Sequence, residues 1–118
     1  MINKTLIIAE AGVNHNGDIL IAEKLIENAA ASGADIIKFQ TFNTEDLVTK
    51  EAPKANYQVM NEKKSSTQLD MLKKLELNAK QHEHLIEHSR KFNIEFLSTA
   101  FDHESLSMLE KFNLKRNK

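Results

Sequence analysis

Polar side chains that can do chemistry stand near the ends of three apolar runs in this sequence. Glu10 lies at the end of the run TLIIAEA, Lys38 and Gln40 lie in DIIKFQT, and Ser98 and Thr99 lie in NIEFLSTA. A lysine within an apolar strand is costly unless it meets an anion or an acidic partner. A cation and a carboxylate at neighbouring strand ends therefore indicate a site for a small anionic metabolite.

Each of these signals also has a purely structural explanation. Glu10 and Lys38 could simply pair with each other on neighbouring strands. The segment NHNG at residues 14–17 could be only a turn, since Asn and Gly tolerate left-handed backbone geometry. His84 and His88 have the i, i+4 spacing of a metal pair, but no Glu lies between them as in the zinc-protease motif. For that histidine pair a solvated helix face is favoured.

The elements that must position these residues alternate between strands and helices. Asp18 is typical of a helix N-cap, and Gly33 supplies a left-handed stop after a helix with apolar residues Ile19, Ala22, Ile26, Ala29 and Ala30. Alternation and β-branched residues predict strands over residues 5–11, 35–41 and 93–100. Helical spacing predicts further helices over residues 67–75, around 82–92 and over 103–112. Between them, residues 42–66 form a long polar loop, a kind that is often functional or flexible.

Alternating strands and helices indicate a parallel sheet covered by helices. A doubly wound open sheet and a (β/α)8 barrel both fit this order, and both gather ligands at the carboxyl ends of the strands. Three strands would leave both sheet edges open, and a barrel needs roughly 250 residues. We therefore expect the chain to be the front part of something larger, with its three βα units forming part of a TIM barrel.

Composition narrows the class of protein. The chain has 118 residues, no cysteine and a formal net charge of −1. The absence of cysteine excludes disulfides, thiolate zinc sites and cysteine nucleophiles. The balanced charge disfavours nucleic-acid binding. No apolar run approaches the roughly 18 residues that cross a bilayer, and the N-terminus is unlike a signal peptide. The composition therefore predicts a soluble, cytoplasmic protein that binds neither nucleic acid nor membrane.

Five segments, taken in order, resemble the sialic acid synthase family, also called N-acetylneuraminate synthases. The segments are IIAEAGVNHNGD, ASGAD, IIKFQTF, SSTQLDMLKKLEL and IEFLSTAFD, and the similarity covers nearly the whole chain, from about residue 6 to residue 118. The family includes synthases of the related legionaminic and pseudaminic acids. This chain departs from the family at Ala100, where a proline is common, so the loop after the third strand can be set differently.

The resemblance implies a reaction and a fold. Family members condense phosphoenolpyruvate with an N-acylated mannosamine-type sugar, which releases phosphate and forms a nine-carbon 2-keto acid. Their fold is a (β/α)8 barrel followed by a small antifreeze-like domain that reaches the partner subunit of a homodimer. Mn²⁺ or Mg²⁺ orients the sugar aldehyde, and its two histidine ligands lie on later strands without counterparts here. The resemblance thus implies that residues 1–118 are the amino-terminal portion of such a barrel.

The resemblance also assigns roles to individual residues. Glu10 corresponds to the acid that contacts the acceptor sugar, and its carboxylate suits hydroxyl recognition and catalytic proton transfer. Lys38 corresponds to a lysine that binds phosphoenolpyruvate, with Gln40 beside it in the same motif. Lys118 corresponds to a second such lysine. The remaining substrate-binding candidates lie in loops: Asn14 and His15 shape the loop above the first strand, and Tyr57 and Gln58 are lid or sugar contacts or else exposed surface.

Three hypotheses about function follow. In the first, the chain belongs to a sialic-acid-type synthase but lacks the metal ligands, the later strands and the second domain, and by itself is inactive. In the second, it is a non-catalytic fragment that needs a partner chain to cover its open sheet edges. In the third, it is part of another aldolase-like barrel that uses phosphoenolpyruvate.

Overall fold

The computed structural model of the chain describes residues 3–47 and 68–118. The strands are β1 (Ile8–Gly12), β2 (Ile36–Thr41) and β3 (Glu95–Ala100). The helices are α1 (Ile19–Ala31), α2 (Thr44–Leu47), α3 (Gln68–Lys73), α4 (Ala79–Lys91) and α5 (His103–Lys111). None of the helices in these two ranges is long and apolar enough to span a membrane. The predicted contacts Tyr57 and Gln58 lie outside the described residues.

The three strands form one parallel sheet in the order β1-β2-β3. In the register, Glu10 pairs with Lys38, and Gln40 pairs with Thr99. Helical chain follows each strand, so the described elements form three βα units. The predicted parallel sheet with helices between its strands is confirmed.

Asp35 ties the start of the chain to the start of β2. Its carboxylate accepts a hydrogen bond of 2.9 Å from the Ile7 amide. The same carboxylate forms an ion pair with the Lys4 ammonium at 2.7 Å. The hydrogen bond from Lys4 and the bond from the Ile7 amide hold the pKa of Asp35 below its usual range. The strand β1 therefore begins at a fixed position beside β2 even though the preceding residues are exposed.

Helix α1 begins and ends where the sequence predicts. The Asp18 carboxylate accepts a hydrogen bond of 2.8 Å from the Leu20 amide, which satisfies one of the free donors of the first turn. Gly33 has a φ of +83°, the left-handed conformation that ends many helices. Between these caps, the apolar face of α1 packs on the sheet through Ala22, Ile26 and Ala29, all buried.

Alternation along β2 divides the sheet into two faces. Ile37 and Phe39 are buried beneath α1 and α4 in the main core. Lys38 and Gln40 belong to the opposite face, as the alternation predicts. We call this opposite face, made by Glu10, Lys38, Gln40 and Thr99, the open face. It lies on the side of the sheet away from the helices, which is the interior side in a barrel.

Three local features differ from the sequence prediction. Residues predicted as the start of a polar loop form the short helix α2 (Thr44–Leu47), and Thr44 in it is fully buried. The predicted helix over 67–75 spans Gln68–Lys73. The helix predicted around residues 82–92 spans Ala79–Lys91, and Phe92 caps its end, 43% exposed and against the ring of His88.

A buried chain of hydrogen bonds joins β2, β3 and α4 behind the open face. Thr41 Oγ1 lies 2.7 Å from His82 Nε2 and 2.6 Å from Ser98 Oγ, and His82 Nδ1 lies 2.8 Å from the Asn78 carbonyl oxygen. His82 is fully buried and is flanked by the rings of Phe96 and Phe112. Buried polar groups need such partners, so this chain fixes the start of α4 against two strands.

Gly17 brings the loop after β1 into contact with the loop after α3. Its φ is +77°, and a Cβ placed on it would lie only 1.9 Å from the backbone carbonyl oxygen of Lys74. Non-bonded atoms do not approach so closely, so only glycine fits at this position unless the backbone moves. Gly33 offers a natural comparison, since its φ is also positive but no atom lies within 4 Å of such a Cβ.

We expect Gly17→Ala to destabilise the fold much more than Gly33→Ala. At both positions alanine must adopt left-handed geometry, which costs about 1–2 kcal/mol. Only at Gly17 does the new methyl group also collide with backbone, which adds roughly 1–3 kcal/mol. Urea unfolding of the full chain, followed by circular dichroism, measures the difference. Equal losses for the two variants would show that the contact with Lys74 is not tight.

Two buried histidines make the stability of the fold depend on pH. Burial lowers the pKa of His82, and burial together with the nearby His82 ring lowers the pKa of His15. The unfolded chain, with ordinary histidine pKa values of about 6.5, therefore takes up protons first as the pH falls. We expect the free energy of unfolding to have its full value above about pH 6.5 and to decrease progressively as the pH falls below that value.

Urea titrations at several pH values check this dependence. The variant His82→Gln cannot titrate at this position, so its stability should fall less steeply between about pH 7.5 and about pH 5.0. Carboxylates with lowered pKa values, such as Asp35, affect stability only at lower pH. An unchanged slope in the variant would contradict the assignment of the effect to His82.

Candidate functional site

Lys38 and Glu10 form an ion pair on the open face. Parallel register places the two residues side by side on β2 and β1, and the Lys38 ammonium contacts one carboxylate oxygen of Glu10. Only 14% of the Lys38 side chain is exposed, against 48% for Glu10. The structural explanation and the functional one both require this contact. However, a pair open to water on the acid's side contributes little stability, so the fold gains little from placing a lysine there.

A β-bulge shapes the backbone beside this ion pair. The register slips between Glu10 and Gly12, and Gly12 has a φ of +54°. A Cβ on Gly12 would lie 3.1 Å from a carboxylate oxygen of Glu10 and 3.6 Å from the Gln40 amide nitrogen. Glu10, Gly12 and Gln40 therefore surround one small space, which the missing side chain of the glycine keeps open. Bulges of this kind often re-aim side chains near active sites.

Thr99, one of the two polar residues near the end of β3, belongs to the open face. It pairs with Gln40 in the register, and its hydroxyl oxygen is buried without a hydrogen-bond partner among the described residues. A buried hydroxyl without a partner is costly unless a ligand or water completes it. The neighbouring Ser98 points to the other face and is bonded to Thr41. Strand alternation is the signal that separates these two hydroxyls.

The loop above β1 places its two predicted residues differently. Asn14 is exposed, whereas His15 is fully buried with its ring centroid 6.1 Å from that of Phe39. His15 Nδ1 accepts a 2.9 Å hydrogen bond from the Gly17 amide, so the neutral ring carries its proton on Nε2. Phe39 lies on the helix side of the sheet, so His15 shapes the loop from beneath. Its role in binding substrate stays a prediction.

Lys118 lies at the carboxyl end of β3, apart from the ion pair. It is exposed and lines a groove with Ala100, Phe101 and Asp102. The residues that line this groove do not include Lys38. The structure thus brings Glu10, Lys38 and Gln40 together and places Lys118 beside the next strand. Its role as a second cation stays a prediction.

Two carboxylates hold the loop that follows β2. Asp102 accepts hydrogen bonds from the Asn43 amide at 2.6 Å and the Ser105 amide at 2.7 Å. Burial alone would raise the pKa of Asp102, but these bonds and that from the Ser105 hydroxyl outweigh it and keep the pKa below its usual range. Glu76 likewise accepts bonds from the amide and hydroxyl of Thr44. The loop that follows β2 is therefore held in place by hydrogen bonds to both carboxylates.

Metal-ligating residues do not cluster in the part of the chain that the structure describes, where no group of three or more could hold an ion. His84 contacts Glu23, and His88 lies 3.2 Å from Glu27, so these histidines join α4 to α1. His84 is 53% exposed, but His88 is only 15% exposed, so the predicted solvated face describes only the first. Among the described residues, these histidines and their carboxylate partners therefore act as contacts between two helices and form no metal site.

Comparisons with known proteins identify relatives of this chain. It is 54% identical over 112 residues to the N,N'-diacetyllegionaminic acid synthase of Campylobacter jejuni and 51% identical to that of Legionella pneumophila. Each match covers 95% of this chain but only 34% and 32% of the relative. The chain therefore spans about a third of the length of these curated relatives.

A solved structure has the same fold and confirms the predicted fold class, part of a (β/α)8 barrel. The crystal structure of the N-acetylneuraminic acid synthetase of Leptospira borgpetersenii, in complex with citrate, matches with a TM-score of 0.79 and 34% identity. The match covers 98% of this chain and 35% of that one. The sequence pattern of the NeuB family matches residues 25–118. Because this match takes in well over half of the chain, the protein belongs to the NeuB family, as the resemblance to sialic acid synthases predicted.

Proposed function

We propose that the open face is one wall of an active site that condenses phosphoenolpyruvate with an N-acylated mannosamine-type sugar. The products are phosphate and a sialic-acid-type nonulosonic acid. The observation that carries the proposal is the nearly buried Lys38 ammonium beside Glu10 at the ends of two parallel strands. The names of the relatives support the reaction, since two of them are legionaminic acid synthases more than half identical to this chain.

Lys38 is the anion-binding group in this proposal. Phosphoenolpyruvate carries a phosphate and a carboxylate, and either can replace the Glu10 carboxylate as the partner of the ammonium. Because 14% of the Lys38 side chain is exposed, water screens its charge less than it screens a surface lysine. The same low exposure makes an unpaired ammonium unfavourable. Glu10 therefore keeps the lysine in place when the anion has left.

Gln40 and Thr99 supply neutral donors beside that cation. The Gln40 amide nitrogen faces the space at Gly12, and the Thr99 hydroxyl lacks a partner among the described residues. Both groups can donate hydrogen bonds to phosphate or carboxylate oxygens. A set of one ammonium, one amide and one hydroxyl binds an anion and also fixes its orientation.

Glu10 acts on the acceptor sugar once the anion occupies Lys38. Its carboxylate is 48% exposed, so a sugar hydroxyl can reach it. In the reaction, the double-bond electrons of phosphoenolpyruvate form a bond from C3 to the aldehyde carbon, and the carbonyl π electrons move to the aldehyde oxygen, which takes up a proton and becomes a hydroxyl. The cation left at C2 takes up water, which loses one proton. The carbon–oxygen bond to phosphate then breaks, and the departing phosphate takes the remaining hydroxyl proton to leave the 2-keto acid. In this proposal Glu10 accepts hydrogen bonds from the sugar and takes up the proton that the water loses.

Further parts of the enzyme belong to the proposal rather than to the described residues. A divalent Mn²⁺ or Mg²⁺ would polarise the aldehyde, and we expect its ligands outside the residues described here. Lys118 is proposed as a second cation for phosphoenolpyruvate, and Asn14 as a residue of the loop above the substrate. The complete enzyme is proposed to act as a homodimer.

A chimera tests the role of Lys38 in a complete barrel. In it, this chain replaces the matching third of the Campylobacter jejuni relative, to which it is 54% identical. We expect the chimera to release phosphate from phosphoenolpyruvate when the acylated sugar is present. Lys38→Met should lower kcat/KM for phosphoenolpyruvate roughly 100- to 1,000-fold, the loss typical of removing one electrostatic contact to a reacting group.

Lys24→Met is the matched control, because Lys24 is an exposed lysine of α1 that pairs with Glu27 far from the open face. It should leave kcat/KM unchanged. Equal behaviour of the two variants would refute the role of Lys38. A chimera that condenses phosphoenolpyruvate only with a different aldehyde would instead support another aldolase-like barrel, and one without product would support a non-catalytic fragment.

The isolated 118-residue chain is expected to form no measurable sugar-acid product. The described residues supply one wall of the site, and among them no group of three or more metal-ligating side chains could hold an ion that polarises the aldehyde. The assay contains phosphoenolpyruvate, the acylated sugar and Mn²⁺, and mass spectrometry detects the nine-carbon acid. Product formation by the purified chain would contradict this expectation.

A further inference from the structure

The hydrogen-bond chain behind the sheet has only one possible direction. A backbone carbonyl oxygen can only accept, so His82 Nδ1 carries a proton and donates it to Asn78 at 2.8 Å. Burial lowers the pKa of His82 and keeps its ring neutral, so Nε2 has no proton and accepts from the Thr41 hydroxyl at 2.7 Å. The Ser98 hydroxyl must then donate to Thr41 Oγ1 at 2.6 Å.

This chain lies at the same level of the sheet as the proposed anion donors. Thr41 directly follows Gln40 on β2, and Ser98 directly precedes Thr99 on β3. Gln40 and Thr99 are register partners on the open face. Adjacent residues of a strand point to opposite faces, so a side chain fixed on one face fixes the backbone that aims its neighbour on the other.

The histidine ring is a rigid spacer between the helix and the strand. One nitrogen is bonded to Asn78, the residue that also caps α4 through a reciprocal pair of bonds with Gln81. The other nitrogen is bonded to β2 at Thr41. The ring itself stacks on Phe112 and meets the edge of Phe96, so it has little freedom to turn. The acceptor at Nε2 is therefore held at a fixed place.

We propose that His82 is a positioning residue that holds Gln40 and Thr99 in the geometry that binds the substrate anion. It acts through the Thr41 and Ser98 hydroxyls and touches no substrate. The inference rests on the proposed function, because it requires an anion on the open face. Without an acceptor at Nε2, the Thr41 hydroxyl turns to another partner, the bond from Ser98 is lost, and the ends of β2 and β3 shift relative to each other.

Two substitutions in the chimera separate positioning from general stability. Asparagine places an amide nitrogen near the position of Nδ1, so His82→Asn keeps the bond to Asn78 but loses the acceptor for Thr41. Glutamine reaches the position of Nε2 with its amide oxygen, so His82→Gln keeps that acceptor. Both variants remove the aromatic ring and its stacking. Any loss that comes from stability alone must therefore appear in both.

We expect His82→Asn to raise KM for phosphoenolpyruvate about tenfold, within the roughly 100-fold that a shift of about 1 Å can cost, with kcat nearly unchanged. His82→Gln should restore KM to near the value of the unsubstituted chimera. Thr41→Val, which removes the linking hydroxyl, should raise KM by a similar factor and add little in combination with His82→Asn. Urea unfolding of each variant records the loss of stability separately.

A spectroscopic measurement tests the direction of the bonds without any enzyme assay. Proton–nitrogen correlation spectra of the full chain, labelled with ¹⁵N in its histidines, distinguish the two neutral tautomers. We expect His82 to carry its proton on Nδ1 at neutral pH. A proton on Nε2 would overturn the inference, because the Thr41 hydroxyl could then not donate to that atom.

The outcomes also separate this inference from the proposed function. If Lys38→Met abolishes activity while His82→Asn and His82→Gln change KM equally, the proposed function stands and the positioning role is wrong. If the unsubstituted chimera forms no product, both are wrong. Only a raised KM in His82→Asn, its rescue in His82→Gln and the Nδ1 tautomer together support the positioning role.

Discussion

Parallel pairing of β1 with β2 puts a carboxylate and an ammonium side by side, and this contact determines what the open face can do. Glu10 and Lys38 lie at matched register positions, and the lysine is much less exposed than the acid. In such a place the ammonium needs a negative partner at all times. The acid supplies one that an incoming anion can displace, because water reaches its other side. An ion pair that contributes little to the stability of the fold is thereby suited to exchange one anionic partner of the lysine for another.

The backbone around the pair is constrained as strongly as the charges. The register slips between Glu10 and Gly12, and Gly12 takes a positive φ. A side chain at Gly12 would press on Glu10 at 3.1 Å and approach Gln40 at 3.6 Å. Five residues further on, Gly17 meets the carbonyl of Lys74. At both positions a side chain would meet neighbouring atoms, so glycine is favoured in the chain that leads into and through the loop above β1.

Much of the fold and part of the site follow from the sequence because both depend on periodicity. Alternation assigns Lys38 and Gln40 to one face of β2, and the caps Asp18 and Gly33 mark the ends of α1, as observed. Register then follows from parallel pairing, which brings Glu10 to Lys38. These features are local or repeat along the chain, so residue types are enough to predict them.

The remaining features depend on contacts between distant segments, which residue types do not encode. Thr44 is buried because Glu76, more than thirty residues away, accepts bonds from its amide and hydroxyl. His15 is buried because the turn at Gly17 folds its ring under the loop, against Phe39. A polar segment and a motif histidine both predict exposure in the absence of these partners. Tertiary contacts reverse the expectation in each case.

The two faces of β2 illustrate how one strand serves structure and chemistry together. On the helix side, Thr41 is locked into a fully paired and buried chain whose histidine is neutral. On the open side, Gln40 has polar neighbours and space in front of it. Side chains in a fully hydrogen-bonded buried network cannot change partners without loss, whereas a side chain that binds a ligand must change its partner. Because neighbouring residues share one backbone, the rigidity of the closed side would limit the entropy that the open side loses on binding the proposed anion.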